Sequence, residues 1–287
     1  MKNRNRYFLM LVLVILAVAT SGCNVINTLR AKDSLNEGVR EFNKGKYQIA
    51  EDKFNLALRL KPELENAEFF RALAIYQQFK ELKSSETPEK IEGEFTRTVK
   101  AFDDIIANNK SNAELVDRAY AFKADSYDYM SKLVASRDQQ RADKLRDDRF
   151  NVLLERASAP GASDRTKASV YYNMGKFYWD KAYLITEPHS KPPGTELKEK
   201  IPADKIEELK GYVEKARDFF KRAAAAMPEW ADTHSMLRLT HLQEIYVADS
   251  TGADPATKEA LVQQYEAEGE LAKKYNESEQ TALMRAK

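Results

Sequence analysis

Apolar residues along this chain recur three and four positions apart, with charged residues between them, and no segment alternates in twos. That period places one apolar stripe on each of a succession of helices. Ala50, Phe54, Ala57 and Leu58 fall at i, i+4, i+7 and i+8, and Pro62 ends their helix. Proline withholds a backbone donor and disfavours helical geometry in the residue before it. Leu35, Val39 and Phe42 give the helix upstream its own stripe. The same spacing predicts helices over 65–83, 87–108, 112–134, 138–157, 230–248 and 257–275, with Thr87 as a cap and Pro88 in the first turn it opens. "APGASD" at 159–164 and "DSTGADP" at 249–255 break the pattern. With only 10 glycines in the chain, the expectation is an all-α solenoid of antiparallel helix pairs, about four and a half of them.

Two segments align without gaps, "AEDKFNLALRLKP" from Ala50 to Pro62 and "ARDFFKRAAAAMP" from Ala216 to Pro228. In each, a small residue precedes a Phe by four, Ala follows the Phe by three, and Pro follows it by eight. The partner helix of the second lies upstream, where Tyr171, Met174, Gly175 and Tyr178 share a face. Gly175 has no side chain, so it suits the closest crossing of the pair. Together these positions resemble the tetratricopeptide repeat: aromatic, x2, Leu-Gly, x2, Tyr, then Ala, x3, Phe, then Pro. The first copy is similar in "GKYQIAEDKF", with Gly45 turning the chain and Tyr47 opening the next helix. It departs where Ser34, Glu37 and Glu41 replace apolar residues and Leu35, Val39 and Phe42 run one position displaced. Gly38 to Ala50 spans 12 residues, the family spacing, whereas Gly175 to Ala216 spans 41. The excess of 29 holds the proline-rich, charged segment 186–202, expected as a loop inserted between two helices of one repeat, with binding and disorder both open as its role.

The start of the chain has a different pattern. Lys2, Arg4 and Arg6 precede an unbroken apolar run of 12 residues from Phe8 to Ala19, then come Thr20, Ser21, Gly22 and Cys23, the only cysteine. That layout is a secretory signal, since a spanning helix needs about 20 apolar residues. It resembles the lipobox of bacterial lipoproteins, although the family usually has Leu where Thr20 stands. The resemblance implies a signal peptide over 1–22, cleavage before Cys23, diacylglycerol on the Cys23 sulfur and a further acyl chain on its new amino group. Two or three chains anchor stably where one does not. Asn24 is compatible with the outer membrane under the family's sorting rule. An ordinary secretory signal with a chance cysteine and an uncleaved inner-membrane anchor are the alternatives. The expected division is therefore 1–22 signal, 23–30 lipidated linker, 31–278 solenoid and 279–287 flexible tail.

The 46 basic and 45 acidic side chains are mixed along the chain, and the absence of a basic stripe argues against nucleic acid as partner. His234 and His241 share a helical face with Glu244, but in the phase of the repeat they stand where core aromatics belong, so no metal is expected; His189 sits alone in the inserted segment. The sequence contains no nucleophile elbow, zinc-binding helix, phosphate loop or dinucleotide glycine pattern, and no cofactor is implied. Carboxylates as in "RDQQRADKLRDDR" mix with Arg and Lys as on a solvated helix face. An enzyme is not expected.

Aromatic residues give the positive signal. Tyr171, Tyr172, Phe177, Tyr178, Trp179 and Tyr183 crowd into thirteen residues, more than one buried stripe holds. Tyr172, Lys176 and Trp179 form the stripe beside the core-facing Tyr171 and Tyr178, and Phe69, Tyr76 and Asp125 occupy the same stripe upstream. The tetratricopeptide resemblance makes that stripe the lining of a concave groove. The alternative is that these side chains pack on the inserted segment or the next helix. The function so implied is a membrane-anchored scaffold, facing the periplasm from the outer membrane (alternatively an inner-membrane or a secreted protein), that holds a protein or extended peptide in an envelope assembly. A small-ligand-binding accessory of a transport system is the alternative; the sequence fixes no oligomeric state. Cys23→Ala should block processing and release the protein from membranes; unchanged detergent partitioning and mature mass would refute the lipid site.

Overall fold

The computed structural model describes residues 25–64, 66–191 and 196–285, with side chains as far as 278; the signal segment 1–22 and Cys23 lie outside them. The described residues are almost entirely helical, and adjacent helices pack in pairs. The chain divides into two compact units, one ending at Val152 and the other starting at Leu153.

The first unit contains α1 (25–43), α2 (Tyr47–Leu60), α3 (Ala67–Lys80), α4 (Pro88–Asn108), α5 (Ala113–Val134) and the first part of α6 (Gln139–Ser158). Side-chain caps set the boundaries. Thr87 Oγ1 accepts from the Lys90 amide at 3.3 Å and Asn112 Oδ1 from the Leu115 amide at 3.1 Å, each satisfying a donor the first helical turn leaves free. Between α1 and α2 the chain turns at Gly45, whose φ of +74° excludes most side chains. The displaced stripe of α1 is only partly buried, Leu35, Val39 and Phe42 packing at the flank of a core of Ala50, Phe54 and Ala74. The small face of α1, Ala31, Ser34 and Gly38, is buried instead. Neighbouring helices run antiparallel, since Lys61 after α2 reaches Thr28 near the start of α1 at 3.5 Å, and Asn109 after α4 reaches Glu68 in the first turn of α3 at 3.4 Å.

The second unit contains the end of α6, then α7 (Asp164–Thr186), α8 (Ala203–Ala226), α9 (Ala231–Thr251) and α10 (Pro255–Arg285). Ser163 Oγ caps α7 by accepting from the Thr166 amide at 3.0 Å, and Gly252, at φ +72°, ends α9. Ala216, Phe220, Met236 and Leu237 form the core at the α7–α8–α9 junction. Helix α10 continues to Arg285, well past residue 275, so the segment expected as a flexible tail is helical in backbone as far as 285. No helix among the described residues is long and apolar enough to cross a membrane.

The inserted segment is not simply a loop. Past Gly175, α7 continues 11 residues, whereas α1 continues 5 past Gly38; α8 runs 13 residues before Ala216, whereas α2 runs 3 before Ala50. Most of the insertion therefore lengthens two paired helices. Six extra residues on α7 add about 9 Å at 1.5 Å each, and ten on α8 add about 15 Å. The difference of about 6 Å is what a three-residue 3₁₀ turn spans, and one follows α7 directly, at Glu187–His189. The remainder forms a minimal antiparallel pair, β1 (Ser190–Lys191) and β2 (Glu196–Leu197), which the sequence did not announce. Ile201 is buried among Ala182, Ile206, Leu209 and Val213, with Leu197 beside it, and its amide donates to Ser250 Oγ at 2.9 Å.

Both helix pairs meet through a glycine and a phenylalanine. A methyl group added at Gly175 would lie 2.8 Å from the Phe220 ring, and one at Gly38 would lie 2.4 Å from the Phe54 ring. Neither ring can retreat, because both are completely buried. Gly93 in α4 has open space around it. Gly175→Ala should therefore destabilise by about 1–3 kcal/mol through overpacking, whereas Gly93→Ala should stabilise by about 0.5–1 kcal/mol through helix propensity. Thermal unfolding of the two variants reads opposite signs if the crossing is right, and equal signs would refute it.

Candidate interaction surface

Helices α3 and α5 of the first unit touch along the stripe that carries Phe69, Tyr76 and Asp125. The contact buries two of the three. Phe69 is 1% exposed and Tyr76 6%, both in one cluster with Phe102 and Ile105, so neither ring lines an open groove. This corrects the expectation for them. Phe122 of α5 supplies the cover, with ring centroids 5.9 Å from Phe69 and 5.2 Å from Tyr76. The Tyr76 hydroxyl donates to Asp125, and the Lys80 ammonium stands 3.2 Å from the same carboxylate and 4.4 Å from the Tyr129 ring. Burial, and then the bond to Asp125, push the Tyr76 phenol far above its ordinary value. Asp125 keeps an exposed edge, but its oxygen is committed within the fold.

In the second unit the stripe is divided. Tyr172 lies against Phe220 at 5.7 Å and Trp230 at 4.7 Å, so it belongs to the seam where α7, α8 and α9 meet. Burial raises its phenol too, with Asp232 and Asp180 adding to it. Lys176 is exposed and pairs with Asp180 at 2.8 Å, one turn along the same helix. Trp179 is half-buried on the core and stacks on Tyr183 at 5.2 Å with planes 16° apart. Its Nε1 is buried with no hydrogen-bond acceptor, as is the Gln243 Oε1 on α9 without a donor. An orphaned buried donor or acceptor costs about 1–3 kcal/mol, and Arg71, Arg149 and Arg217 Nε and Thr233 Oγ1 are orphaned in the same way. Tyr171 and Tyr178, expected to face the core, are both partly buried and lie against Phe219, and Tyr178 also packs on the core of Ala216, Phe220, Met236 and Leu237.

Sequence reasoning counted Tyr183 in the aromatic cluster without placing it on the stripe, and passed over Leu184. Tyr183 is 41% exposed and Leu184 73%, and Leu239 is exposed on α9, which touches α7. Tyr183 lies one turn beyond Trp179 on the same stripe, so extending the stripe by four residues would have found it. Leu184 has no such signal, because a lone apolar residue near a helix end reads as core as readily as surface.

His234 and His241 are buried, as their phase implied, but each has a polar partner, while His189 is only partly buried and lies 3.0 Å from Glu199. His234 Nδ1 lies 2.7 Å from Glu268 of α10 and its Nε2 2.7 Å from the Pro228 carbonyl, while His241 Nδ1 lies 2.7 Å from Glu244. Glu244 also takes an ion pair from Arg217 of α8. Among the described residues no group of three or more His, Cys, Asp or Glu is placed to hold a metal ion. Above this network α8, α9 and α10 leave an open cleft of about 410 Å³, lined by Lys210, Val213, Arg217, Val247 and Leu261 among others.

With this geometry in hand, no protein-family model matches the chain, nor does any curated protein sequence.

Burial raises the Glu244 pKa, but the His241 hydrogen bond and the charge and bond of Arg217 outweigh it, and the carboxyl is held below its ordinary 4.5. A depressed carboxylate favours the folded state at pH above its unfolded value, and that stability is lost as pH falls through the folded value. Wild-type stability should thus show an acid limb beginning near pH 4.5 that Glu244→Gln flattens. At neutral pH the same substitution should cost about 1–3 kcal/mol by stranding Arg217. Parallel acid limbs for the two proteins would refute the assignment.

Proposed function

We propose that this chain is a non-catalytic, membrane-anchored scaffold of the tetratricopeptide type, which holds a partner protein or extended peptide in a bacterial envelope assembly. The observation that carries the reading is the Trp179–Tyr183 stack, half-buried on α7 and flanked by exposed Leu184 and by Lys176. Rigid aromatics at the edge of a packed core give contact area at small entropic cost, the usual make-up of a binding anchor. The buried indole N–H without an acceptor adds a polar group that a partner contact would satisfy through rearrangement of the stack. Support for the repeat type comes from the Gly38–Phe54 and Gly175–Phe220 contacts, which join the two positions the family's motif names. The groove reading now rests on the α7 face alone, without Phe69 and Tyr76. Anchoring rests on Cys23 and the segment before it, with the outer membrane, facing the periplasm, as its location.

The open cleft beside Arg217 favours the second reading, a small-ligand-binding accessory of a transport system. It supports that reading less well. A ligand site gathers several unpaired polar groups in an enclosed pocket, whereas this cleft is open and its Arg217 pairs with Glu244 through Nη1, leaving only the buried Nε without an acceptor.

Tyr183→Ala is the discriminating variant, because its ring is the exposed half of the stack. With the acylated protein as bait on solubilised envelopes, the partner recovered by wild type should be lost, a weakening of about 2 kcal/mol if the ring is an anchor. The unfolding temperature should barely move. Equal recovery by wild type and variant would refute the scaffold surface, and a large fall in stability would return Tyr183 to the core.

A further inference from the structure

The strongest unexplained surface lies at the start of α1. Among the described residues, eight large hydrophobic side chains are exposed, and three of them, Val25, Ile26 and Leu29, fall within five residues, at 60%, 57% and 63%. Their spacing of i, i+1 and i+4 gathers them on one side of the first helical turn. The stripe then stops. Lys32, Asp33 and Asn36, which continue it along the helix, are polar and exposed. An apolar patch confined to one end of a helix fits a surface that the helix end touches, rather than a groove along its length.

Position in the chain decides what that surface is. Val25 is two residues from Cys23, so the backbone of the two is separated by at most about 7 Å of extended chain. The described part of the segment expected as a lipidated linker, 25–30, is helical throughout. Exposed Arg30 and Lys32 lie immediately after the apolar turn, and Lys61 reaches across to Thr28. Apolar side chains followed by cations is the order in which a helix end meets acyl chains and then anionic headgroups.

We infer that the first turn of α1 is inserted in the lipid surface, with Val25, Ile26 and Leu29 among the acyl chains and Arg30 and Lys32 at the phosphates. This rests on the reading of Cys23 as the acylated residue. The contact makes the anchor rigid: the first unit is held against the bilayer by its own helix and does not hang from a tether.

The test uses the full acylated protein in vesicles of phosphatidylethanolamine and phosphatidylglycerol. Acylation consumes the only natural thiol, so Ile26→Cys, Leu29→Cys and Arg40→Cys each offer one site for a nitroxide label. Labels at 26 and 29 should lose accessibility to a water-soluble nickel chelate while staying accessible to oxygen, and the label at 40 should remain open to both. If 26 and 29 are as accessible to nickel as 40, and mass spectrometry shows acyl chains on Cys23, the insertion is wrong and the lipoprotein reading stands. If Cys23 carries no acyl chain, the lipoprotein reading falls and the insertion falls with it. Protection that disappears when protein is diluted at constant lipid would overturn the inference in favour of contact between copies of the chain.

Discussion

Phe54 against Gly38 and Phe220 against Gly175 set the separation of two helix pairs, and the rest of the packing follows from that distance. A buried phenylalanine ring contributes about 1.5–3 kcal/mol of transfer free energy, but only if the opposite helix presents backbone instead of a side chain. Glycine provides that, and the alanines around each ring do the same at the next turns. Ala50, Ala57, Ala216 and Ala223 are all completely buried. Once the backbones are this close, larger residues must move to the flanks. That is where Leu35, Val39 and Phe42 lie in the first pair, and Tyr178 in the second. The displaced stripe of α1 is thus the complement of its small face, not an irregularity.

Much of this was legible in the sequence, and the parts that were not have a common cause. The cap at Thr87 could be placed because its chemistry is local, a side chain and an amide three residues on. The helix crossings could be placed because glycine and phenylalanine recur at matched positions. Phe69 and Tyr76 could not. A 3.6-residue period shows that a face is apolar, but not which of two neighbouring helices covers it, and Phe122 lies about fifty residues away in the chain. Asp125 reinforced the error, because a carboxylate on the same stripe reads as solvent-facing, whereas here it accepts from the Tyr76 phenol. Tyr172 was misplaced for the same reason, by Trp230 in the turn between α8 and α9.

Charges between helices follow a related logic. Glu51, buried on α2, accepts from Gln78 of α3 at 2.8 Å and is paired with Arg97 of α4. Arg217, Glu244 and His241 join α8 to α9 in the second unit. Such pairs contribute little net stability because desolvation offsets attraction, but each loses several hydrogen bonds at once if a helix slides by a turn. Apolar stripes alone would tolerate that slide, since similar side chains recur every three or four residues.

The lengthened α7–α8 hairpin behaves as a ruler. Its two arms grow away from the fixed Gly175–Phe220 contact, and their unequal lengths are reconciled by a single 3₁₀ turn at the tip. Adding or removing whole turns from both arms together would change how far the tip stands from that contact without disturbing any residue at the base. Height and stability are therefore separable in this protein, and selection could adjust the reach of the arm while the crossing beneath it stays constant.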